Sequence, residues 1–216
     1  MRRYEKKIIE QTKVPLPTIK RLPMYLSFLL AESAKGRTHI SSSEIADSLA
    51  LTGIQVRKDL AWITNSGKPR TGFPITILIE DIKEYLGYKI KKHAIIVGAG
   101  HLGMAFLHYE GFDDYGIKIA AAFDSDKSKI GKKVNNTQIF SLDDFEEVYH
   151  RYRPELAILT VPADVAQEAC DRLVKYGLKA IWNFAPTLLK VPNDVRVETI
   201  DMARSLAVLW RQMLED

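Results

Sequence analysis

Gly98, Gly100 and Gly103 follow the apolar run Ala94-Ile-Ile-Val97 in G-x-G-x-x-G spacing, and an acid, Asp124, closes a second apolar run, Ile117 to Phe123, twenty-one residues after Gly103. Each glycine suits a separate task. Gly98 permits a tight turn, Gly100 lets backbone approach a pyrophosphate with no Cβ in the way, and Gly103 lets a helix pack closely on the strand. The spacing predicts that helix over Leu102 to Tyr109, with phosphates seated on the unpaired N–H groups at its positive end. An acid where Asp124 stands accepts hydrogen bonds from both ribose hydroxyls and repels a 2'-phosphate, which favours NAD over NADP. Lys127 and Lys129 follow closely and weaken that preference. The unit from Lys92 to Asp124 therefore reads as half of a dinucleotide-binding fold. Its candidate cofactor is NAD, as NADH and NAD+, held by Gly98, Ala99, Gly100, His101, Leu102, Gly103, Asp124 and Lys129.

Two later segments join that list. Thr160-Val161-Pro162 and Asn183-Phe184-Ala185-Pro186 end the predicted strands Leu156 to Val161 and Lys179 to Phe184, at the carboxyl edge where a dinucleotide crosses the sheet. Their prolines also serve simply to stop strands. No catalytic residue is assigned. A dehydrogenase needs a group to handle the substrate proton, and none of His39, His93, His101, His108 and His150 has a carboxylate orienter in its local motif. No metal-ligating cluster is visible. Cys170, the only cysteine, lies among Val165, Ala166, Ala169, Leu173 and Val174 at helical spacing, which reads as a buried core thiol and leaves no intrachain disulfide.

These residues need elements to position them. After Asp124 the pattern runs Gln138 to Phe140, Leu142 to Arg151, Leu156 to Val161, Ala163 to Tyr176 and Lys179 to Phe184, strand alternating with helix. Such alternation means a parallel sheet covered on both faces. The last segment, Asp201 to Leu214, carries Ala203, Leu206, Ala207, Trp210 and Met213 at helical intervals, a stripe that must be buried within the domain or on a second subunit. Trp210 near the terminus favours the dimer contact.

The first ninety residues are of another kind. A charged arm with two prolines, Met1 to Pro17, precedes a helix starting at Ile19 or, past Pro23, at Met24 and running to Ala34, with Leu22, Leu26, Leu29 and Leu30 at amphipathic spacing. Serine caps within Ile40 to Leu49 predict a short helix, Leu51-Thr-Gly53 a turn, and Ile54 to about Thr64 a second helix, which is a helix-turn-helix pattern. On that second helix Val56, Leu60 and Ile63 share one face and Gln55, Lys58 and Trp62 the opposite one, with Arg57 at the border. Gln55 and Lys58 carry groups that read base edges in the major groove, whereas Arg57 suits phosphate. The basic turn Asn65 to Pro74, followed by apolar Ile75 to Ile79, reads as a hairpin wing offering Lys68 and Arg70 to the DNA backbone or minor groove. Ser42 and Ser43 complete the candidate DNA contacts. Glu80 to Gly87 is the last helix of this half and Tyr88 to Lys92 a short basic linker.

Charge divides the same way. Of 216 residues, the first 92 hold seventeen Lys and Arg against nine Asp and Glu, a net of +8, and the remainder fourteen against eighteen, a net of −4. The basic half suggests a polyanion partner. With no apolar run near the roughly 20 residues of a membrane span, the expectation is a cytoplasmic protein.

Taken together the pieces resemble the Rex family of redox-sensing transcriptional repressors from about Leu16 to Leu214. The resemblance rests on Ile19-Lys-Arg-Leu-Pro23, Ile40-Ser-Ser-Ser-Glu-Ile-Ala46, Gln55-Val-Arg-Lys-Asp-Leu60, Val97-Gly-Ala-Gly-His-Leu-Gly103, Ala121-Ala-Phe-Asp124, Leu159-Thr-Val-Pro162, Asn183-Phe-Ala-Pro186 and Val197-Glu-Thr-Ile-Asp201. It implies an α/β chain with an N-terminal winged-helix DNA-binding domain (1–90), a Rossmann-type NAD(H)-binding domain with a parallel sheet (91–200) and a C-terminal dimerisation helix (201–216). It also implies a homodimer that binds double-stranded operator DNA and releases it when NADH fills the pocket, without a protein substrate or a membrane. Residues placed like Arg21, Tyr109 and Asp201 form a polar switch in that family. The chain departs from the family pattern in the DNA half, where Ala61-Trp62-Ile63-Thr64 replaces Ser-Tyr-Phe-Gly and Lys68 to Pro74 replaces a glycine-rich wing ending in Gly-Tyr. An NAD-dependent oxidoreductase and a CoA- or nucleotide-binding interaction module are the rival readings.

Overall fold

The computed structural model describes residues 14–214, so most of the charged N-terminal arm, residues 1–13, lies outside it. The chain divides into two compact units between Lys89 and Ile90.

The first unit is built on α1 (Leu16–Ala34), β1 (His39–Ile40), α2 (Ser42–Ser48), α3 (Gly53–Ala61), β2 (Phe73–Pro74) and α4 (Ile75–Tyr85). α1 begins at Leu16 and continues through Pro23, earlier than either start the sequence suggested. A proline inside a helix removes one backbone bond and costs about 3 kcal/mol. Burial of Leu22, Tyr25, Leu26 and Leu29 on both sides of it offsets that cost, whereas Leu30, expected on the same face, is exposed. Ser41 caps α2 in a reciprocal box with Glu44, and Thr52 caps α3 by accepting from Gln55 N–H. Such caps contribute about 1 kcal/mol each and set where the two helices start.

The wing differs from the expected hairpin. A bridge between Lys68 and Gly72 closes its turn, and Phe73–Pro74 pairs antiparallel with His39–Ile40. Ile75 to Ile79 is not an extended run but the opening of α4. Ile75, Leu78, Ile79 and Ile82 recur at i, i+3, i+4 and i+7 and are all buried, so burial on one helical face overrides the β-preference of the branched side chains.

The second unit holds, among the described residues, a seven-stranded sheet in the order β5-β6-β4-β3-β7-β8-β9. Its strands are β3 (Lys92–Val97), β4 (Ile117–Phe123), β5 (Lys133–Val134), β6 (Thr137–Phe140), β7 (Leu156–Leu159), β8 (Ala180–Asn183) and β9 (Arg196–Thr199). All neighbours are parallel except the β5–β6 hairpin. Its helices are α5 (His101–His108), α6 (Phe145–Tyr152), α7 (Ala163–Lys175) and α8 (Met202–Met213). Ile95 and Val97 enter one core with α6 and α7 while Ile96 enters another with Leu107 of α5, so both faces are covered and β3 reads as a continuous apolar run. The chain builds β4 and β6 on one side of β3, then returns to place β7 on the other. The reversal of direction therefore falls between the carboxyl ends of β3 and β7, the place where open α/β sheets bind ligands. β9 and the β5 edge strand carried no distinct sequence pattern and were not foreseen.

Candidate functional site

Gly98 and Thr160 meet at that reversal. The Thr160 hydroxyl lies 2.7 Å from Gly98 O, to which it donates, and its backbone N–H bonds Val97 O at 2.8 Å. Gly98 adopts φ +101°, a conformation L side chains avoid, and a Cβ on it would stand 2.8 Å from Thr160 O. A Cβ on Gly103 would lie 1.9 Å from Gly98 O, so helix and turn touch there. Gly100 is different. Its φ of −73° suits any residue, and a Cβ there would meet nothing within 4 Å. The protein's own packing needs glycine at 98 and 103 but leaves room for a side chain at 100. No side chain caps α5, which leaves its first N–H groups, from His101 onward, directed at the same space. This bare cradle fits the pyrophosphate of a dinucleotide.

Asp124 lies beside it. Its carboxylate accepts from Ala99 N and Asp126 N, each at 2.8 Å, and from Lys129 Nζ at 3.1 Å. The acid thus ties the end of β4 to the glycine turn as well as standing where a ribose would come. Asn183, fully buried, braces the other wall: its amide donates to Thr187 O at 2.9 Å and its Oδ1 accepts from Ala185 N at 3.0 Å, which folds Phe184-Ala185-Pro186 into a fixed turn. Val161 is half-buried, whereas Pro162, Pro186 and His101 are exposed.

An aromatic cluster went unread in the sequence. Phe106 packs on Phe184 at 4.9 Å between ring centroids and on Trp182 at 5.7 Å, and Tyr109 meets Phe112 edge-on at 5.0 Å. Its one available signal was Phe106, one helical turn after Gly103 and so on the face that glycine brings toward the sheet. Cys170 is buried in the sheet core, where burial pushes its thiol up to about 11, the behaviour of a packing residue.

In the first unit the candidate DNA residues fall on two surfaces flanking α3. Ser42, Arg57, Lys68 and Arg70 line one cleft of about 730 Å³. Gln55, Lys58 and Trp62 line a second groove, of about 430 Å³, together with Arg21. Arg57 and Lys58 are exposed, Trp62 is nearly half exposed, and Ser43 faces solvent beside the start of α3. Arg70, at the wing tip, holds φ +69°, a strained setting for a side chain.

The second groove is also lined by a residue that the sequence reading passed over. Asp59 is buried on the Val56 and Leu60 face of α3 and accepts four hydrogen bonds: Thr18 at 2.7 Å, Tyr25 at 2.6 Å, and Arg21 through both Nε at 2.7 Å and Nη2 at 2.8 Å. All three partner residues stand on α1, so this carboxylate locks α3 to α1. Burial pushes its carboxyl up, but the bonds from Arg21, Tyr25 and Thr18 outweigh burial and hold it below the ordinary carboxylate range. An acid on an otherwise apolar stripe was the signal available. Of the three candidate switch residues, Arg21 is committed to Asp59, Tyr109 is exposed, and Asp201 caps α8 by accepting from Arg204 N–H at 3.0 Å. Met202, Leu206, Trp210 and Met213 of α8 are all exposed, Trp210 at 64%. Among the described residues no group of three or more potential ligands could hold a metal, and no helix is long and apolar enough to cross a membrane.

Comparison with known proteins agrees with this division. Residues 13–61 match a family described as a putative DNA-binding protein N-terminus, and residues 89–187 a CoA binding domain. Over 202 residues, 93% of this chain and 96% of the relative, the sequence is 45% identical to the redox-sensing transcriptional repressor Rex of Treponema denticola. It is 38% identical to that of Bacillus subtilis over 93% of this chain and 92% of the relative. Among solved structures, RSP in complex with NAD+ and operator DNA is similar with a TM-score of 0.89 and 33% identity, covering 94% of each chain. RSP in complex with NADH is similar with a TM-score of 0.87 and 32% identity, covering 94% of this chain and 96% of that one.

Proposed function

The chain belongs to the Rex family of redox-sensing transcriptional repressors, and from that premise we propose that it binds operator DNA as a homodimer and releases it when NADH occupies the glycine-turn site. It is a sensor and not an enzyme. One observation carries the cofactor assignment: Gly100 is a glycine that the protein's own packing does not require, facing open space between two glycines that it does require. NAD(H) would lie with its pyrophosphate on the N–H groups of the turn and α5, a ribose hydroxyl at Asp124, and its remaining length along Thr160 to Pro162 and Asn183 to Pro186. Bound there, it contributes a redox-dependent charge on its nicotinamide, and the protein's residues do the rest of the work.

Residues 1–90 then serve as the winged-helix reader, 91–200 as the sensor and 201–216 as the dimerisation helix. The exposed apolar face of α8 supports the dimer, because water contact over that much apolar surface is unfavourable unless a partner covers it. A twofold dimer reads a palindrome only while its recognition helices match successive major grooves about 34 Å apart, so a modest rotation suffices for release. Arg21, Tyr109 and Asp201 are the proposed switch. Arg21 gives Asp59 only its Nε hydrogen and one Nη2 hydrogen, so its other donors could serve a second carboxylate from the same guanidinium that holds the recognition helix. Cytoplasmic operation, where operator DNA and the NAD(H) pool coexist, completes the proposal.

The test is anisotropy of a labelled palindromic operator titrated with protein alone and with NADH, NAD+ or CoA at saturation. NADH should weaken binding, NAD+ should weaken it less and CoA not at all. Linkage requires operator DNA to weaken NADH by the same factor. Equal operator affinity with and without NADH would refute the switch.

A further inference from the structure

Thr64 stands where the chain leaves α3 for the wing, in the place that Ser-Tyr-Phe-Gly gives to glycine, and it is buried. A hydroxyl has one proton to donate and two lone pairs that accept. All three are used here. Thr64 Oγ1 donates to the Asp81 carboxylate at 2.5 Å, a charge-assisted bond, and with its proton so placed it accepts from Ser66 N at 3.1 Å and from the Ser66 hydroxyl at 2.8 Å. Asp81 belongs to α4, so this clasp ties the start of the wing to that helix. Glycine has no hydroxyl to make it. The far side of the wing is fixed as well. Lys68 and Gly72 exchange backbone bonds of 2.9 and 3.0 Å, and a Cβ on Gly72, at φ +78°, would lie 2.3 Å from Ile40 O of β1. Between these points Arg70 holds φ +69°, a conformation that a side chain keeps only where its surroundings dictate it.

We infer that Asp81 is a positioning residue for DNA binding: through Thr64 and Ser66 it fixes the base of the wing, so that Lys68 and Arg70 are held beside the cleft they share with Arg57 before DNA arrives. The inference rests on the reading of residues 1–90 as the DNA-binding unit. Its physical basis is preorganisation. A wing already held in place gives up little conformational freedom on binding, whereas a loose one must be ordered by the DNA itself. Two cations on a loose loop return too little at moderate salt to offset that ordering, so without the clasp their phosphate contacts are lost rather than merely weakened.

The experiment is operator anisotropy across a salt series with the full chain, for the unmodified protein, Asp81→Ala, Thr64→Val, Thr64→Ser and the double variant Lys68→Ala/Arg70→Ala. Each neutralised phosphate adds about 0.9 to the slope of log affinity against log salt, so losing both cations from each subunit of the proposed dimer lowers the slope by about 3.6. Between about 50 and 200 mM salt the fall in affinity then shrinks by about 100-fold. Asp81→Ala and Thr64→Val should both show the smaller slope. Thr64→Ser, which keeps the hydroxyl, should match the unmodified chain, and adding Asp81→Ala to the double variant should lower the slope no further. Thr64→Val keeps the shape of the side chain and carries the test if Asp81→Ala does not fold. A clasp that only stabilised the fold would reduce the folded fraction and leave the slope as it was, so an unchanged slope overturns the inference, as does a slope that falls in Thr64→Ser as far as in Thr64→Val. If the double variant keeps the full slope, the wing does not touch DNA and the inference falls with it. If the unmodified chain does not bind operator, the reading of the DNA-binding unit falls too.

Discussion

Replacing Asp59 with alanine should uncouple the recognition helix from the rest of its unit. The substitution removes the acceptor of four hydrogen bonds, from Thr18, Tyr25 and twice from Arg21. Tyr25 is fully buried, and stranding its hydroxyl costs about 1–3 kcal/mol. Breaking a buried ion pair from one side costs about 3–5 kcal/mol. The Arg21 side chain is 22% exposed, so water recovers part of that loss. These effects share partners and do not add, which puts the net near 3 kcal/mol. For a unit of this size each kcal/mol moves the midpoint by about 4–8 °C, so calorimetry of the full chain should show the first unit melting at least about 12 °C lower. NADH titration, which reads the second unit, should be unaffected. Asp59→Asn adds a pH arm. The Asp59 pKa is depressed in the folded state, so its contribution is present above the unfolded carboxylate value of about 3.9 and is lost as pH falls through the lower folded value. The stability gap between the unmodified chain and Asp59→Asn should therefore be full at neutral pH and close below roughly pH 4. A gap under about 1 kcal/mol at pH 7, or one that does not narrow in acid, would refute the assignment of Asp59 as the lock.

Gly100→Val should abolish NADH binding with little change in melting temperature, because its Cβ enters open space, whereas Gly103→Ala should lose both, because its Cβ meets Gly98 O at 1.9 Å. Equal NADH titrations for Gly100→Val and the unmodified chain would place the cofactor elsewhere. Lys58→Ala should reduce discrimination between operator and random DNA by about 1–3 kcal/mol, while Arg57→Ala should weaken both alike and lower the salt slope by about one, as anisotropy across a salt series would show. Trp210→Lys should shift sedimentation from dimer toward monomer, since the exposed α8 face then carries a charge where the apolar contact is expected; an unchanged dimer would remove α8 from the interface.

Much of this protein was legible residue by residue. The glycine spacing, the apolar runs on either side and the acid at the end of β4 are local signals, because a strand, a tight turn and a helix start are each decided by a few neighbouring side chains. The serine cap of α2 likewise marks its helix without reference to anything distant. The +8 of the first 92 residues and the wheel of α3 are sums and periods along the chain, which folding does not alter.

What tertiary structure decided is where a local preference meets a distant partner. Ile75 to Ile79 prefers a strand on its own and becomes a helix because one face of it is buried. Pro23 leaves the start of α1 open between Ile19 and Met24 in the sequence, and the burial of Leu22, Tyr25 and Leu26 carries the helix through it. Asp59 stands in the sequence only as an acid on an apolar stripe, and the partners that explain it, Thr18, Arg21 and Tyr25, are thirty-four or more residues away. Asp124 could be recognised as an acid at the right spacing, but how many of its lone pairs Ala99, Asp126 and Lys129 consume depends on the packed turn. Hydrogen-bond saturation and burial are properties of a three-dimensional neighbourhood, and a sequence specifies that neighbourhood only through the whole fold.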